Sequence, residues 1–452
     1  MQVARVRQLG NPRNIEFALL LLVAGLYAFE LAQIQLATVL VLRTELVLYW
    51  APPVLLAFVM HLILRLRASE ADWLILPIGL FLNTLGISVI YRLDIIKPAL
   101  TSSGHAPDLF AQKQVIYTAI AMAIAAAVIL LVKSHLSLRK YIYVSMVAGV
   151  LLLLLPLLPV IGKTVSGARL WVGIGSFSFQ PGELAKIALT IFFAGYLVSR
   201  RESLAVVGRK FAGIRIPQAR ELGPIVTIWL ASLAVLVLQR DLGTSLLYFA
   251  IFLVLIYVAT GRPFYVVVGA LMFVTGALIA SRLMSYVGGR VDSWLDPLNE
   301  ATYNAIGGSY QLVQGLFGLA HGGLFGTGLG GGLPQLVPLA ESDFIISSLG
   351  EELGLVGLFA IFALYLLLIA RAVRISVQHN DDFSKLLAIG FGFVIALQFF
   401  IVVGGVLRVL PLTGLTTPLL AAGGSSLIAN WIIIALLLRI SDSVPRLGVV
   451  TE

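Results

Sequence analysis

Residues 384–407 read SKLLAIGFGFVIALQFFIVVGGVL, a run in which one lysine is the only charged side chain. A helix rises 1.5 Å per residue, so about 20 apolar residues cross about 30 Å of hydrocarbon, and this run is typical of a membrane-spanning helix. The whole chain shares its character: 59% of the 452 residues are hydrophobic and only 12% are charged. Soluble domains carry about 25% charged residues, so the composition favours a membrane protein.

Eleven further runs have the same character, and the sequence therefore predicts an all-α, polytopic membrane bundle of about twelve helices. The runs lie near residues 15–34, 46–66, 73–92, 114–133, 141–160, 183–199, 223–239, 244–260, 264–282, 345–371 and 413–438. The divisions at 239–244 and 260–264 are the shortest. The first run follows several arginines and has no small-residue cleavage site after it, so we interpret it as a retained signal anchor.

Lysine and arginine cluster in short loops on one side of this arrangement and near both termini. These loops are 65–70, 133–140, 199–220, 261–263 and 370–374. The positive-inside rule predicts that they and both termini are cytoplasmic. The formal charge of +9 follows this distribution, so it does not indicate a nucleic-acid partner. Cysteine is absent and no histidine spacing typical of a metal site occurs, so we predict no metal ligands.

Three longer loops lie on the opposite side, at about 93–113, 161–182 and 283–344. The last contains a polar stretch, WLDPLNEATYNAIGGSYQ, but also too many apolar residues for a disordered linker. We expect it to contain short helices and re-entrant backbone above a cavity. Its segment GTGLGG (326–331) matches a dinucleotide fingerprint only formally, since no βαβ unit surrounds it. It is more typical of a tight turn whose amides are candidates to face a phosphate.

Ionisable residues beside the spanning runs are functional candidates because burying them in a membrane is costly. In GARLWVGIGSFSFQPGELAK (167–186), Glu183 and Lys186 share one helix face; the alternative is a buried ion pair with a structural role. In LQRDLGTSL (238–246), Arg240 and Asp241 are either an interfacial pair or part of a clamp for an anionic headgroup.

Two further stretches lie near the C-terminus. In VPLAESDFIISSLGEELG (337–354), Ser342 or Asp343 is predicted to cap the following helix, and at least one of Glu351 and Glu352 to be buried and partnered. RVLPLTGLTTPLLAAGGSSLIAN (408–430) is predicted to begin the last helix, with a kink and a close helix contact at its small residues.

Five stretches, in this order, resemble the motifs of the SEDS family, which contains the RodA and FtsW proteins of bacterial elongation and division. They are GARLWVGIGSFSFQPGELAK, QRDLGTSL, GGSYQLVQGLFGLAHGGLFGTGLG, ESDFIISSLGEELGLVG and LPLTGLTTPLLAAGGSS. The resemblance implies a ten-helix core at 69–441, with a large extracellular catalytic loop (283–344) between the ninth and tenth of all the helices. It also implies that 1–68 add a tail and two extra helices, and that 442–452 form a cytoplasmic tail.

The resemblance further implies a peptidoglycan glycosyltransferase. Such proteins polymerise lipid II, an undecaprenyl diphosphate-linked disaccharide-peptide, at the outer face of the bacterial cytoplasmic membrane, with a class B penicillin-binding protein as partner. Attack by the acceptor 4-hydroxyl requires a base, and departure of the diphosphate is stabilised by cations. The implied substrate-binding residues are Arg169, Trp171, Glu183, Lys186, Arg240, Asp241, Arg290, Tyr310, Gln311, Asp343 and Arg408. No cofactor is required, and a divalent cation (Mg²⁺ or Mn²⁺) at the diphosphate stays open.

The catalytic carboxylate has several candidate positions, because the family pattern is similar to DPxxDPxGxGYQ with the aspartate six residues before the tyrosine. Counting back from Tyr310 gives Asn304, whereas counting forward from Asp296 gives Glu300. The base is therefore Glu300 or Asp296, or the chain is catalytically impaired. At Ala421–Ala422 the chain also departs from the Ser-Tyr pair that precedes GGSS in the family.

Two rival functions stay open. One is a flippase for lipid-linked oligosaccharides, which requires polar residues through the bilayer midplane. The other is a non-catalytic scaffold that activates a transpeptidase, for which Asn304 is the relevant feature. The clustering of polar residues towards the outer ends of the predicted helices favours catalysis.

Overall fold

The computed structural model describes residues 11–100, 109–165, 167–174, 177–205, 210–211, 214–215, 226–228, 230–231, 234–235, 237–305 and 307–444. In these residues, eleven helices are long and apolar enough to cross a membrane. They correspond to eleven of the predicted spans. The remaining predicted span, 223–239, lies partly outside the described residues, and the residues described within it are helical. The prediction of a polytopic helical membrane protein is confirmed.

The helices are numbered in chain order over the described residues. They are α1 (Pro12–Thr38), α2 (Leu46–Arg67), α3 (Ile75–Leu100), α4 (Phe110–Leu131), α5 (Ile142–Leu154), α6 (Pro181–Ala205), α7 (Leu242–Thr260), α8 (Pro263–Leu283), α9 (Ser285–Leu295), α10 (Glu300–Asn304), α11 (Tyr310–Gly322), α12 (Ile345–Gln378), α13 (Asp382–Val406) and α14 (Gly424–Asp442). Three 3₁₀ turns, His135–Tyr141, Leu155–Leu157 and Pro334–Leu336, accompany them.

The two shortest predicted divisions are true helix ends. Asp241 is the N-cap of α7, and its carboxylate accepts a hydrogen bond of 3.1 Å from the Thr244 amide. The other end of α7 is capped by Gly261 with φ of 67°, and Pro263 opens α8. Glycine adopts this conformation without steric cost and proline lacks an amide donor, so the sequence GRP ends one helix and begins the next.

The 161–182 region is folded rather than an irregular loop. Its strands β1 (Gly162–Val165), β2 (Ala168–Ile174) and β3 (Phe177–Phe179) form an antiparallel sheet in the order β1-β2-β3. A second antiparallel pair joins Lys210–Phe211 to Ile214–Arg215. The all-α prediction omits these sheets because every strand except β2 has at most four residues, and β2, ARLWVGI, lacks a regular apolar–polar alternation.

The prediction that the last span begins near residue 413 is wrong. Helix α14 begins at Gly424, and residues 407–423 form a non-helical segment, here named the 407–423 loop. Pro411 and Pro418 supply no amide donor to a helix, and Gly414 has φ of 74°. The chain therefore passes between α13 and α14 as a series of turns.

Other elements satisfy the backbone of the 407–423 loop, as irregular backbone in a membrane protein requires. The Gln114 side chain on α4 donates to the Ala421 carbonyl at 3.0 Å and accepts from the Gly423 amide at 3.2 Å. The Tyr365 hydroxyl on α12 donates to the Pro418 carbonyl. These side chains hold the loop inside the bundle.

The long loop between α8 and α12 contains short helices, as predicted, and a glycine-rich turn. Gly326, Gly328 and Gly330 have φ of 79°, 88° and 89°, which confirms the tight turn. The amides of Thr327 and Gly328 donate to the carbonyls of Glu351 and Glu352 at 3.0 and 2.9 Å. The prediction that the amides of this turn face a phosphate is therefore wrong for these two.

Glu351 and Glu352 are both buried and partnered, which confirms the prediction made for at least one of them. The Arg92 Nε donates to Glu352 Oε1 at 3.1 Å, joining α3 to α12. Glu351 Oε1 accepts from the Leu333 amide and lies close to His321 Nδ1, both at 2.9 Å. The two carboxylates thus attach the long loop between α8 and α12 to the core.

Helices α1 and α2 are joined by a buried polar group. Glu16 lies 2.5 Å from Arg13 Nη1 and 2.6 Å from His61 Nδ1, and all three side chains are nearly inaccessible. A buried carboxylate is tolerated only with such partners. Farther along α1, a Cβ atom placed on Gly330 would lie 2.8 Å from the Ala37 Cβ, so α1 also packs against the glycine-rich turn.

Candidate functional site

The 407–423 loop contacts two groups of polar side chains. The first, here named the Lys186 network, consists of Glu183, Lys186, Gln398 and the backbone of Thr416. The second, the Arg290 cluster, consists of Asp241, Tyr286, Arg290 and Asp343. Both groups contain residues predicted from the sequence, and each includes one that was not predicted.

The Lys186 network begins with Glu183 and Lys186, which share one helix face at the start of α6, as predicted. Lys186 Nζ lies 2.6 Å from Glu183 Oε2, and both side chains are at least 94% buried. The same ammonium donates to Gln398 Oε1 at 2.8 Å, and Gln398 Nε2 donates to the Thr416 carbonyl at 2.9 Å. The network therefore connects α6 to α13 through a charge-assisted hydrogen bond, and α13 to the 407–423 loop through a neutral one.

Gln398 is the network residue that the sequence analysis missed. It is the only amide side chain in the run 384–407 and is fully buried. A buried amide must be hydrogen-bonded, so an isolated glutamine in a spanning run is a signal that could have been used. Its partners come from distant parts of the chain, and local sequence does not identify them.

The Arg290 cluster surrounds Gly414. Arg290 on α9 donates from Nη1 to the Leu412 carbonyl at 2.6 Å. A Cβ atom placed on Gly414 would lie 3.7 Å from both Arg290 Nη2 and Asp343 Oδ2. The guanidinium and the carboxylate thus lie on either side of Gly414, which has no side chain. Through them the long loop between α8 and α12 contacts the 407–423 loop.

Asp343 lies at the centre of this cluster and does not cap α12. The N-cap of α12 is Phe344, and no side chain caps the helix, so the predicted capping role of Ser342 or Asp343 is wrong. Burial raises the pKa of Asp343 to about 6, although the Ser342 hydroxyl and the Arg290 charge oppose the shift. Carboxyl groups with such perturbed pKa values in clefts are functional candidates.

Asp241 and Tyr286 complete the cluster. Burial raises the pKa of Asp241, against the hydrogen bonds from Thr244 and the charge of Arg290. Burial also raises the pKa of Tyr286 to about 12, and the charge of Asp241 adds to the effect. Tyr286 was not predicted as a site residue. Two carboxylates, a neutral phenol and one arginine therefore lie near the N-terminal end of α7 and the segments beside it.

We expect Asp343 to contribute stability that is lost as the pH rises from about 4 to about 6. Its folded pKa lies above the value of 3.8 for an unfolded aspartate, so the folded state binds the proton more tightly in this window. About two pKa units correspond to about 3 kcal/mol. Thermal unfolding in detergent at pH 4.5 and pH 7 should show a smaller difference for Asp343→Asn than for wild type. The exposed-residue control Glu45→Gln should leave it unchanged, and an unchanged difference in Asp343→Asn would contradict the prediction.

The other predicted cations have more open positions. Arg169 is exposed on β2, and Trp171 on the same strand is partly buried and pairs with Lys163. Arg240 is exposed and has φ of 56°, a backbone conformation that favours glycine and costs about 1–2 kcal/mol for other residues. Arg169 and Arg240 are therefore the accessible candidates for an anionic headgroup.

Tyr310 and Gln311 begin α11 and pack within the long loop. Gln311 Nε2 donates to the Pro338 carbonyl at 2.7 Å. The Tyr310 ring, 44% exposed, makes an edge contact with Tyr303 at a centroid distance of 5.3 Å. These contacts place Tyr310 beside α10 rather than beside the Lys186 network.

The three candidate positions for the base lie on the 296–304 segment, and all three side chains are exposed. Asp296 is the C-cap of α9, Glu300 is the first residue of α10 and Asn304 is its last. Residues four apart on a helix are neighbours on one face, with Cβ atoms about 5–6 Å apart. Glu300 and Asn304 therefore occupy adjacent positions on one helix face. Counting forward from Asp296 had given Glu300 as the position of the base, and counting back from Tyr310 had given Asn304.

Arg408 has different surroundings from those expected of a headgroup ligand. Its guanidinium donates to backbone carbonyls at the end of α9. No group of three or more His, Asp or Glu side chains among the described residues could hold a metal ion. The candidate residues comprise exposed and buried carboxylates, exposed and half-buried guanidinium groups and one buried ion pair.

The fold defines a multi-pass helical membrane protein, and polar side chains from several of its helices contact the 407–423 loop. Residues 72–445 match the family described as cell cycle protein, which comprises FtsW, RodA and SpoVE, and the chain belongs to this family. The match begins after α2.

Several relatives are similar over most of the chain. The chain is 44% identical over 387 residues to peptidoglycan glycosyltransferase RodA of Mycobacterium tuberculosis. This alignment covers 85% of the chain and 81% of the relative. The chain is 30% identical over 379 residues to stage V sporulation protein E of Bacillus subtilis, covering 83% and 98%. Together with its apolar helices, these matches make it a multi-pass protein of the cytoplasmic membrane.

Solved structures are also similar. One describes the coordination of polymerization and crosslinking by a peptidoglycan synthase complex, with 26% identity, a TM-score of 0.62, and coverage of 82% of this chain and 97% of that one. RodA of Thermus thermophilus, at 24% identity and a TM-score of 0.56, has the same fold over 82% of this chain and 96% of its own.

Proposed function

We propose that the chain is a peptidoglycan glycosyltransferase that polymerises lipid II at the outer face of the membrane. The observation that carries the proposal is the convergence of the Lys186 network and the Arg290 cluster on the 407–423 loop, beside a loop segment with exposed carboxylates. The family and the activity in the relatives' names support it. Both termini, by the distribution of lysine and arginine, are cytoplasmic in this proposal.

Glu300 acts as the base in this proposal. It removes the proton from the acceptor 4-hydroxyl as that oxygen attacks the anomeric carbon, and the bond from this carbon to the diphosphate oxygen breaks. Asp296 is the second carboxylate of the same segment. Glu300 is preferred because it lies on α10 next to position 304. The two alignments of the family pattern, from Asp296 and from Tyr310, therefore place the base on the same helix face.

Three arginines stabilise the departing diphosphate. Arg169 and Arg240 are exposed and free to reach a headgroup, while Arg290 is half-buried with one nitrogen on Leu412. Guanidinium groups suit phosphate oxygens because their planar forks donate two parallel hydrogen bonds. The Lys186 network holds the elements under this surface. No step requires a metal ion, and a class B penicillin-binding protein would crosslink the product as a separate partner.

Reconstitution in liposomes tests this function against its rivals. Purified protein with labelled lipid II should yield glycan polymer, and the lipid-facing variant Leu271→Ala should match wild type. Passage of the headgroup across the bilayer without polymer would indicate a flippase instead. Binding without turnover that Asn304→Asp converts to turnover would indicate a non-catalytic chain that acts as a scaffold.

A further inference from the structure

We infer that Arg408 is a positioning residue that fixes the start of the 296–304 segment, and not a ligand of the diphosphate. The inference rests on the proposed function. Arg408 is the second residue of the 407–423 loop, directly after α13, and lies 114 positions from its contacts on α9. Arg408 thus joins the 407–423 loop to the end of α9, where the segment with the carboxylates begins.

The contact between Arg408 and α9 is reciprocal. Arg408 Nε donates to the Trp294 carbonyl at 2.7 Å, and Nη2 donates to the Leu295 carbonyl at 2.6 Å. In return, Trp294 Nε1 donates to the Arg408 carbonyl at 3.0 Å. Three hydrogen bonds between two short stretches leave little freedom in their relative position.

The accepting carbonyls lie at the C-terminal end of α9, where the last four carbonyls have no partner inside the helix. A cationic donor at this end satisfies them and complements the helix dipole. The next residue, Asp296, is the helix C-cap. Arg408 therefore fixes the position at which the helix ends and the carboxylate segment begins.

The backbone of Arg408 has an unfavourable conformation for a residue with a side chain. Its φ is 58°, in the left-handed region that favours glycine. An arginine in this conformation is retained against backbone strain, and its two donated bonds supply the compensating interactions. Arg290 makes a second attachment of α9 to the loop, one helical turn earlier, through Leu412. Two arginines thus hold α9, and the one nearer the carboxylates is Arg408.

The remainder of the segment is closed on itself, so fixing its start orients all of it. The Ser309 hydroxyl donates to the Pro297 carbonyl at 2.5 Å, and the Ser309 amide donates to the Thr302 carbonyl at 3.1 Å. These bonds fold residues 297–309 into a small lobe that contains α10. Movement at residues 294–295 would therefore displace Glu300 together with Asp296.

The test is Arg408→Gly, which suits the backbone conformation and removes all guanidinium bonds. We expect kcat for lipid II polymerisation to fall roughly 10- to 100-fold, the loss expected from a displacement of about 1 Å, with KM within about two-fold of wild type. Hydrogen–deuterium exchange should be faster in peptides covering 292–304. Arg408→Lys, which keeps the charge without the fork, should lie between Arg408→Gly and wild type.

The matched control is Leu40→Gly. Leu40 also has a left-handed backbone, with φ of 61°, and is 82% exposed in the linker between α1 and α2. Its replacement should leave kcat, KM and exchange in 292–304 unchanged. The thermal unfolding midpoint of Arg408→Gly should stay close to wild type, which separates positioning from a general loss of folding.

Three results would overturn the inference. A rise in KM at constant kcat would make Arg408 a substrate contact. A fall in kcat with unchanged exchange in 292–304 would show that the segment stays fixed without Arg408. Unchanged kcat together with unchanged exchange would show the same. If wild type itself makes no polymer, the proposed function fails, and the exchange measurement alone decides whether Arg408 fixes the segment.

Discussion

Replacing Lys186 by methionine should remove polymerisation activity and lower the free energy of unfolding by about 3–5 kcal/mol, because it leaves the Glu183 carboxylate buried without its cation. The ammonium also donates to Gln398, whose other end holds the 407–423 loop at Thr416. Loss of Lys186 should therefore weaken the attachment of the 407–423 loop and also leave the buried charge of Glu183 unpaired. Thermal unfolding in detergent and a lipid II polymerisation assay measure the two effects.

The double variant Glu183→Gln/Lys186→Met separates the two roles of the pair. Without a buried charge, most of the lost stability should return, apart from about 1–3 kcal/mol for the unsatisfied Gln398 oxygen. Activity should stay low if the network positions the site. Wild-type stability in the single variant Lys186→Met would contradict the observed pairing, and full activity in the double variant would show that the pair only supports the fold.

Replacing Glu300 by glutamine should lower kcat about 10²- to 10⁴-fold while KM for lipid II stays near the wild-type value, because the amide cannot accept the acceptor proton. Asp296→Asn should have a smaller effect. Both side chains are exposed, so neither change should alter the thermal unfolding midpoint. Initial rates over a range of lipid II concentrations measure the effects.

The neighbouring position provides a rescue experiment. Asn304 lies one helical turn from Glu300 on α10, so Asn304→Asp added to Glu300→Gln places a carboxylate on the same face. Part of the lost activity should return. If Asp296→Asn abolishes turnover and Glu300→Gln does not, the base is Asp296; full activity in both variants would remove the assignment altogether.

The spanning helices could be predicted from sequence because about 20 apolar residues are needed to cross a bilayer, and local residues mark the ends. Gly261 and Pro263 show this: they separate α7 from α8 as expected. The spacing of Glu183 and Lys186 likewise predicted their pairing, since residues three apart share a helix face. Signals that act within one or two helical turns are visible in a single sequence.

The parts that could not be predicted depend on contacts between distant residues. Gln398 meets Lys186 across 212 positions, and Arg408 meets Trp294 across 114. The 407–423 loop was mistaken for the start of a helix because its apolar residues satisfy the hydropathy pattern, although its backbone bonds to α4 and α12 instead. Contacts with distant residues determine whether such a segment is helical, and the chemistry of the site depends on the same contacts.

The most direct measurement is a single-turnover reaction of purified protein with lipid II, counting disaccharides joined and undecaprenyl diphosphate released. Wild type should release one lipid diphosphate for each glycosidic bond formed. The double variant Asp296→Asn/Glu300→Gln should bind lipid II as wild type does, yet release the diphosphate at least about 100-fold more slowly. Equal release by this variant, or headgroup translocation by wild type without any diphosphate release, would contradict a glycosyltransferase with its base on the 296–304 segment.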